Sequence, residues 1–270
     1  TDGDYNVAIG ANAGDALTDN VGNIAIGYNS LGTANTGEAY NVAIGYQAMA
    51  NADNSNTDSN IALGGNALYV SSGENNIGIG YVAGGNTTSM AADNIVAIGR
   101  EALYGQLTSG ADGTIAIGYQ AGTAITSGAQ NTIIGHQAGD ALVTGGYNTI
   151  IGYQAGSSLT HSSNVIVGAA AGDVMTSAED SVIIGVAAAG SLTTGDGNIC
   201  IGYSAMTAAT TGESYNIAIG KNAMSAMDED SSGQVDHNIA IGYQAYLGGD
   251  MNTASNTCLG NIAIGSYALD

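Results

Sequence analysis

Residues 238–245 read Asn238-Ile239-Ala240-Ile241-Gly242-Tyr243-Gln244-Ala245. The run from Ile239 to Gly242 is aliphatic and sits between turn-forming residues, so it predicts a short strand. The same octet recurs along the whole chain. Its Gly falls at 10, 27, 45, 64, 80, 99, 118, 135, 152, 168, 185, 202, 220, 242 and 265, which makes fifteen copies. The spacings run from 16 to 19 residues, except for the last two, which are 22 and 23. The residue before the Gly is Ile in thirteen copies, Leu63 in one and Val167 in another. Three places after it stands Ala, with Ser30 as the one exception. Four places before it stands Asn in twelve copies, with Ile95, Thr114 and Ser181 in the others.

This period decides the architecture. Helical repeats need two helices and roughly 33 to 47 residues, so a unit this short excludes them. One coil of a parallel β-solenoid fits, as two short strands each closed by a turn. The predicted fold is therefore all-β, a single solenoid of about 15 coils over residues 1–270. A Gly after every strand implies a backbone with positive φ, or one where another backbone passes too close for a Cβ. Asn at the strand start tolerates the left-handed region, and stacked Asn side chains predict a ladder. The chain has no Pro, which agrees with a backbone whose N–H groups nearly all have ladder partners. Stacked coils advance by roughly 4.8 Å each, so fifteen predict a rod on the order of 70 Å long.

Side chains alternate across a strand. In Ile239-Ala240-Ile241 the two Ile point one way, and we expect them to fill the coil interior. The opposite face is small and apolar, with Ala in most copies, which suggests close approach of another backbone. In four consecutive copies Ile133, Ile150, Ile166 and Ile183 take that Ala position. An outward Ile stack is an exposed apolar stripe on a lone chain but a core at a three-fold axis. The reading is a homotrimer with Ala116, Ile133, Ile150, Ile166, Ile183 and Cys200 on its axis. The alternative is a single-chain solenoid whose second face packs on its own return strand. Cys258 lies in a turn about three coils from Cys200, roughly 15 Å along the rod. That separation predicts no disulfide between them.

Charge and composition bound the function. Two basic residues, Arg100 and Lys221, face 23 acidic ones, for a formal charge of −21. Nucleic acid, which needs Lys and Arg, should repel this chain, and so should an anionic membrane surface. Acidic chains poor in aromatics can be disordered, but 44% hydrophobic residues in a regular pattern oppose that. No stretch approaches the roughly 18 apolar residues of a membrane helix. The chain starts at Thr1 with no charged and apolar leader, as expected for a processed or excised piece of a longer protein.

No catalytic constellation is legible. His136, His161 and His237 fall at unrelated repeat positions, and Gly78-Ile79-Gly80 lacks the strand–loop–helix setting of a phosphate loop. We expect no enzyme and no cofactor, calcium excepted. Tyr follows the repeat Gly at Tyr28, Tyr46, Tyr81, Tyr119, Tyr153, Tyr203 and Tyr243. Exposed Tyr beside amides suits glycan binding, while a stacked Tyr column simply covers the solenoid. Gln120, Gln137 and Gln154 lie in register and predict an amide ladder.

The two long spacings place insertions near 225–237 and 246–260. The first holds Asp228-Glu229-Asp230-Ser231-Ser232-Gly233-Gln234-Val235-Asp236. Asp228, Asp230, Ser232, Gln234 and Asp236 match the alternating ligand positions of an EF-hand-type calcium loop, with Gly233 at the sharp turn. The closing Glu is missing, with Ile239 in its place, and a solvated acidic turn explains the same residues.

The Asn-Val-Ala-Ile-Gly of residues 41–45 and the Asn-Ile-Ala-Ile-Gly of 216–220 resemble the head repeats of trimeric autotransporter adhesins. That resemblance implies trimers of left-handed parallel β-rolls that bind host surfaces. The family's repeat is shorter, and the longer unit at 201–212 resembles phage tail-fibre repeats more closely. It implies a fibre shaft or receptor-binding region, extracellular, on a virion or cell surface, with a host receptor or glycan as partner. An ice-binding solenoid is a remote alternative, since Thr193, Thr194, Thr210 and Thr211 sit in turns of uneven length.

Overall fold

The structure is a computed structural model that describes residues 4–33, 37–52, 57–85, 90–207, 211–225, 234–246 and 257–269. The chain divides into two compact units, Thr1–Ile134 and Gly135–Asp270. Both are built from the same coil of parallel β-solenoid.

The first unit holds β1 (Val7–Ile9), β2 (Ile24–Ile26), β3 (Val42–Ile44), β4 (Ile61–Leu63), β5 (Ile77–Ile79), β6 (Val96–Ile98), β7 (Ile115–Ile117) and β8 (Thr132–Ile134). Each pairs in parallel with the next, so Val7, Ile24 and Val42 form one column and Ala8, Ala25 and Ala43 another. The second unit holds β9 (Thr149–Ile151), β10 (Val165–Val167), β11 (Val182–Ile184), β12 (Ile199–Ile201), β13 (Ile217–Ile219), β15 (Ile239–Ile241) and β17 (Ile262–Ile264) in the same arrangement. Two further strands, β14 (Gln234–Asp236) and β16 (Thr257–Leu259), come from the long insertions and pair only with each other.

Each ordinary coil carries one strand of three residues, where two strands were expected. The other walls are turns whose N–H groups still bond to neighbouring coils. Gln47 donates to the Tyr28 carbonyl of the coil before, at 2.9 Å, and Met49 to the Ala67 carbonyl of the coil after, at 3.0 Å. Left-handed residues make the corners, among them Gln47 (φ 53) and Met49 (φ 49). Strand geometry cannot absorb such φ values, so these walls stay hydrogen-bonded without becoming sheet.

The Gly after the strand answers to both reasons anticipated for it. Gly80 has φ +132, and a Cβ there would lie 2.7 Å from the Gly99 backbone of the next coil. The backbone that passes so close belongs to the same chain. The Asn column forms the expected ladder. The N–H of Asn60 donates to Asn41 Oδ1 at 2.9 Å, and that of Asn76 to Asn60 Oδ1 at 2.8 Å. In the second unit Asn216, Asn238 and Asn261 repeat the bond at 3.0 Å each. Ser181 substitutes its hydroxyl, accepting from Asn198 at 3.2 Å.

The two strand faces are the reverse of the sequence reading. The central residue of each strand is the one inside the coil. Ala116, Ile133, Ile150, Ile166, Ile183 and Cys200 are all fully buried within the single chain, so none faces a three-fold axis. The flanking Ile and Val, expected inside, stand outside and are half-buried or exposed, for example Ile44 at 37% and Val165 at 36%. A coil this short has too narrow a bore for two branched side chains per strand.

That narrow bore also explains the four consecutive Ile. Where the residue four places after the Gly is long, the strand centre is small: Leu31 with Ala25, Met49 with Ala43, Leu68 with Ala62, Leu103 with Ala97, all buried. Met206 likewise meets Cys200, sulfur to sulfur at 3.4 Å. Where that residue is Gly156, Gly172 or Ala189, the centre is Ile150, Ile166 or Ile183. Ile166 Cδ1 would lie 3.1 Å from a Cβ on Gly156, and Leu159, Met175 and Leu192 complete the filling. Close packing requires such exchange of volume between facing walls.

Two predictions follow from this packing. Gly80→Ala should cost about 1–3 kcal/mol from strain alone, read as a lowered midpoint of thermal unfolding. Ala43→Ile should cost about 1–3 kcal/mol by overpacking, and adding Met49→Gly should recover much of it. Simple additivity of the two changes would refute the compensation.

Candidate interaction surfaces

Among the described residues the strand centres from Ala25 onward are buried, so the chemistry lies on the outer columns. The slot after the Gly is an exposed ladder of rings and cations. Tyr28 and Tyr46 stack at 5.4 Å with planes 16° apart, and His136 stacks on Tyr153 at 5.4 Å. Both basic residues of the chain occupy this slot. The Arg100 guanidinium lies 5.9 Å from the rings of Tyr81 and of Tyr119, and Lys221 lies 5.6 and 5.9 Å from Tyr203 and Tyr243. Each cation bridges two coils through paired cation–π contacts. Tyr243 and Tyr267 instead meet edge to face at 5.4 Å.

Beside the Tyr slot runs the amide column. Gln154 donates to Gln137 Oε1 at 3.3 Å, as its register predicted, and Gln120 donates to Glu101 Oε2 at 2.8 Å. That bond, with the Arg100 pairing at 2.9 Å, holds the Glu101 carboxyl below its ordinary range, and Glu101 in turn raises Arg100.

A second polar column escaped the sequence reading. Six places before the Gly stand Asp58, Glu74, Asp93 and Asp112 in consecutive coils. Asp93 Oδ1 accepts the Glu74 N–H at 2.8 Å, and Asp112 Oδ1 accepts the Asp93 N–H at 2.9 Å. In the second unit Asp196 accepts from Glu179 at 2.9 Å and Asp236 from Ser214 at 2.7 Å. The signal was available as a recurrent acid at one repeat position, but the acids entered the sequence analysis only as net charge. Their carboxylates cap backbone donors of the neighbouring coil, which is why an acidic chain tolerates them in a row.

This bears on the proposed calcium loop. Asp228, Asp230 and Ser232 lie outside the described residues. Gln234 begins β14, and Asp236 is a member of the acidic ladder with Oδ1 taken by Ser214. Among the described residues no group of three or more His, Cys, Asp or Glu could hold a metal ion, and no helix is long and apolar enough to cross a membrane. His161 contacts Thr160 and the Thr176 carbonyl. His237 stacks on Tyr215 at 5.2 Å.

The long insertions also meet at a small buried contact. Val235 lies opposite Cys258 across β14 and β16, and both are buried, as is Tyr246. Burial and a hydrogen bond to Cys258 push the Tyr246 hydroxyl well above its usual range. The ladder reaches this sheet through Asn238, whose Nδ2 donates to the Cys258 carbonyl at 2.7 Å. Cys200 and Cys258 are both free thiols.

No family model, curated protein or solved structure matches the chain.

Burial pushes the Cys200 thiol up to about 12. Desolvation thus disfavours the reactive thiolate near neutral pH. Cys200 should therefore resist alkylation in the folded protein and react at least a hundredfold faster in denaturant, as followed by mass spectrometry. Fast labelling of native Cys200 would contradict its place inside the coil.

Proposed function

We propose that the chain is a structural and adhesive segment of a homotrimeric extracellular fibre. The favoured setting is the shaft or receptor-binding region of a phage tail fibre. The head of a bacterial trimeric adhesin, or another extracellular filament, uses the same coil and is the second setting. One observation carries this reading. Each unit presents a sheet face of Ile and Val that a lone soluble chain should not leave open, and that assembly would cover. The repeat supports it further, since the described coils devote their backbone to their neighbours and their interior to packing. The resemblance of 41–45 and 216–220 to adhesin head repeats points the same way. Exposed Thr hydroxyls are committed to the coil, as where Thr160 and Thr176 donate to carbonyls of Thr176 and Thr193, at 2.7 and 3.0 Å. That favours a fibre over an ice-matching lattice. The net charge of −21 suits a soluble surface that nucleic acid does not bind.

Insertions in a solenoid are free to make contacts, so receptor binding is assigned to the turns at 225–237 and 246–260. Sedimentation should give three times the 26.5 kDa of one chain. Deleting either turn should then reduce binding to host cells while the trimer persists. A stable, folded monomer would end the trimeric fibre reading. Calcium at the first turn is tested by melting the protein with millimolar calcium and with chelator. Stabilisation by calcium that is lost in Asp228→Ala, Asp230→Ala supports it, and coincident curves exclude it.

A further inference from the structure

We infer that copies of this chain join side by side, in parallel and in register, through the outward face of the sheet. The acidic margin of one copy then meets the Tyr and Arg margin of the next. This rests on the fibre reading and assigns it a seam, an orientation and a charge pattern.

The seam follows from what the first unit leaves open. Its outward columns are Val42, Ile61, Ile77, Val96 and Ile115 on one side and Ile44, Leu63, Ile79, Ile98 and Ile117 on the other, and none is buried. The central column between them is turned inward and fully buried. The strip is uncharged over these coils although the chain carries 23 acidic residues. Its ridges repeat once per coil, roughly every 4.8 Å. A partner that interdigitates with every ridge must share that period, and a second copy of the chain does.

Charge then selects the orientation. One margin of the strip carries Glu74, Asp93 and Asp112, six places before the Gly, and the other carries Tyr81, Arg100 and Tyr119, one place after it. Copies packed in parallel about an axis along the solenoid set the first margin of one against the second margin of its neighbour. Arg100 of one copy then comes level with Asp93 of the next. Antiparallel packing would set carboxylates against carboxylates. Arg100 is free to reach across, because its side chain is 60% exposed and the Glu101 pairing uses only part of its donor fork.

The test uses the full chain. Ile44→Glu places a charge on an outward position, so the coil should keep its circular dichroism while the assembly dissociates to single chains. Ala43→Glu, one residue away but inside, should unfold the coil instead. Ile44→Cys, in a Cys200→Ala, Cys258→Ser background, should cross-link to itself with a short bis-maleimide, as parallel register requires. Arg100→Glu should weaken association at least tenfold at low salt and remove most of its salt dependence. If the native chain is trimeric but Ile44→Glu stays trimeric, or Ile44→Cys fails to cross-link, the seam is overturned while the fibre reading stands. If Arg100→Glu associates as tightly as the native chain, the charged-margin register is overturned. A native chain that stays monomeric at every concentration overturns both.

Discussion

The rest of this structure depends on backbone approaching backbone between successive coils. At corner after corner the Gly that follows the repeat strand turns through a positive φ directly beside the backbone of the next coil, as at Gly27, Gly45, Gly64 and Gly80. A Cβ on Gly80 would reach 2.7 Å from the Gly99 backbone, closer than non-bonded atoms come. The repeat is therefore anchored by a missing side chain, and its other positions are arranged around that anchor.

From that contact the remaining columns follow in order. Tight stacking brings each Asn within reach of the next N–H, so a buried amide can satisfy the backbone of its neighbour and also reach the far turn. Asn76 does both, accepting from Ile95 at 3.0 Å and donating to Ala92 at 2.9 Å. A buried polar row costs little when every member is bonded and much when one is not. Close stacking likewise sets rings and cations in contact outside, so the two basic residues become ties between coils.

A narrow coil has a further consequence for how the protein meets others. Because the bore takes one modest side chain per strand, the larger aliphatics are displaced outward, and the solenoid acquires an apolar face as a by-product of its own core. In the fibre proposed above, assembly completes the packing that the single coil does not. The same narrowness ties facing walls together in volume, which is why Ile150 and Ile166 coincide with Gly156 and Gly172.

Much was determined by the sequence alone. A 16–19 residue period with Gly, Asn and Ala at constant offsets specifies a parallel solenoid, because these residues have the backbone and hydrogen-bonding properties that stacked coils demand. It also placed the Asn ladder and the Tyr column, since register follows directly from the repeat. Only the tertiary structure decided which strand face is inside. Alternation shows that Ile239 and Ala240 point opposite ways, yet both faces are apolar, and the choice depends on the bore of the closed coil. The acidic ladder at Asp93 and Asp112 was hidden for a related reason: its worth lies in N–H groups one coil away, which composition cannot display. The pairing of β14 with β16 needed the structure too, because two irregular insertions carry no shared pattern until the coils bring them side by side.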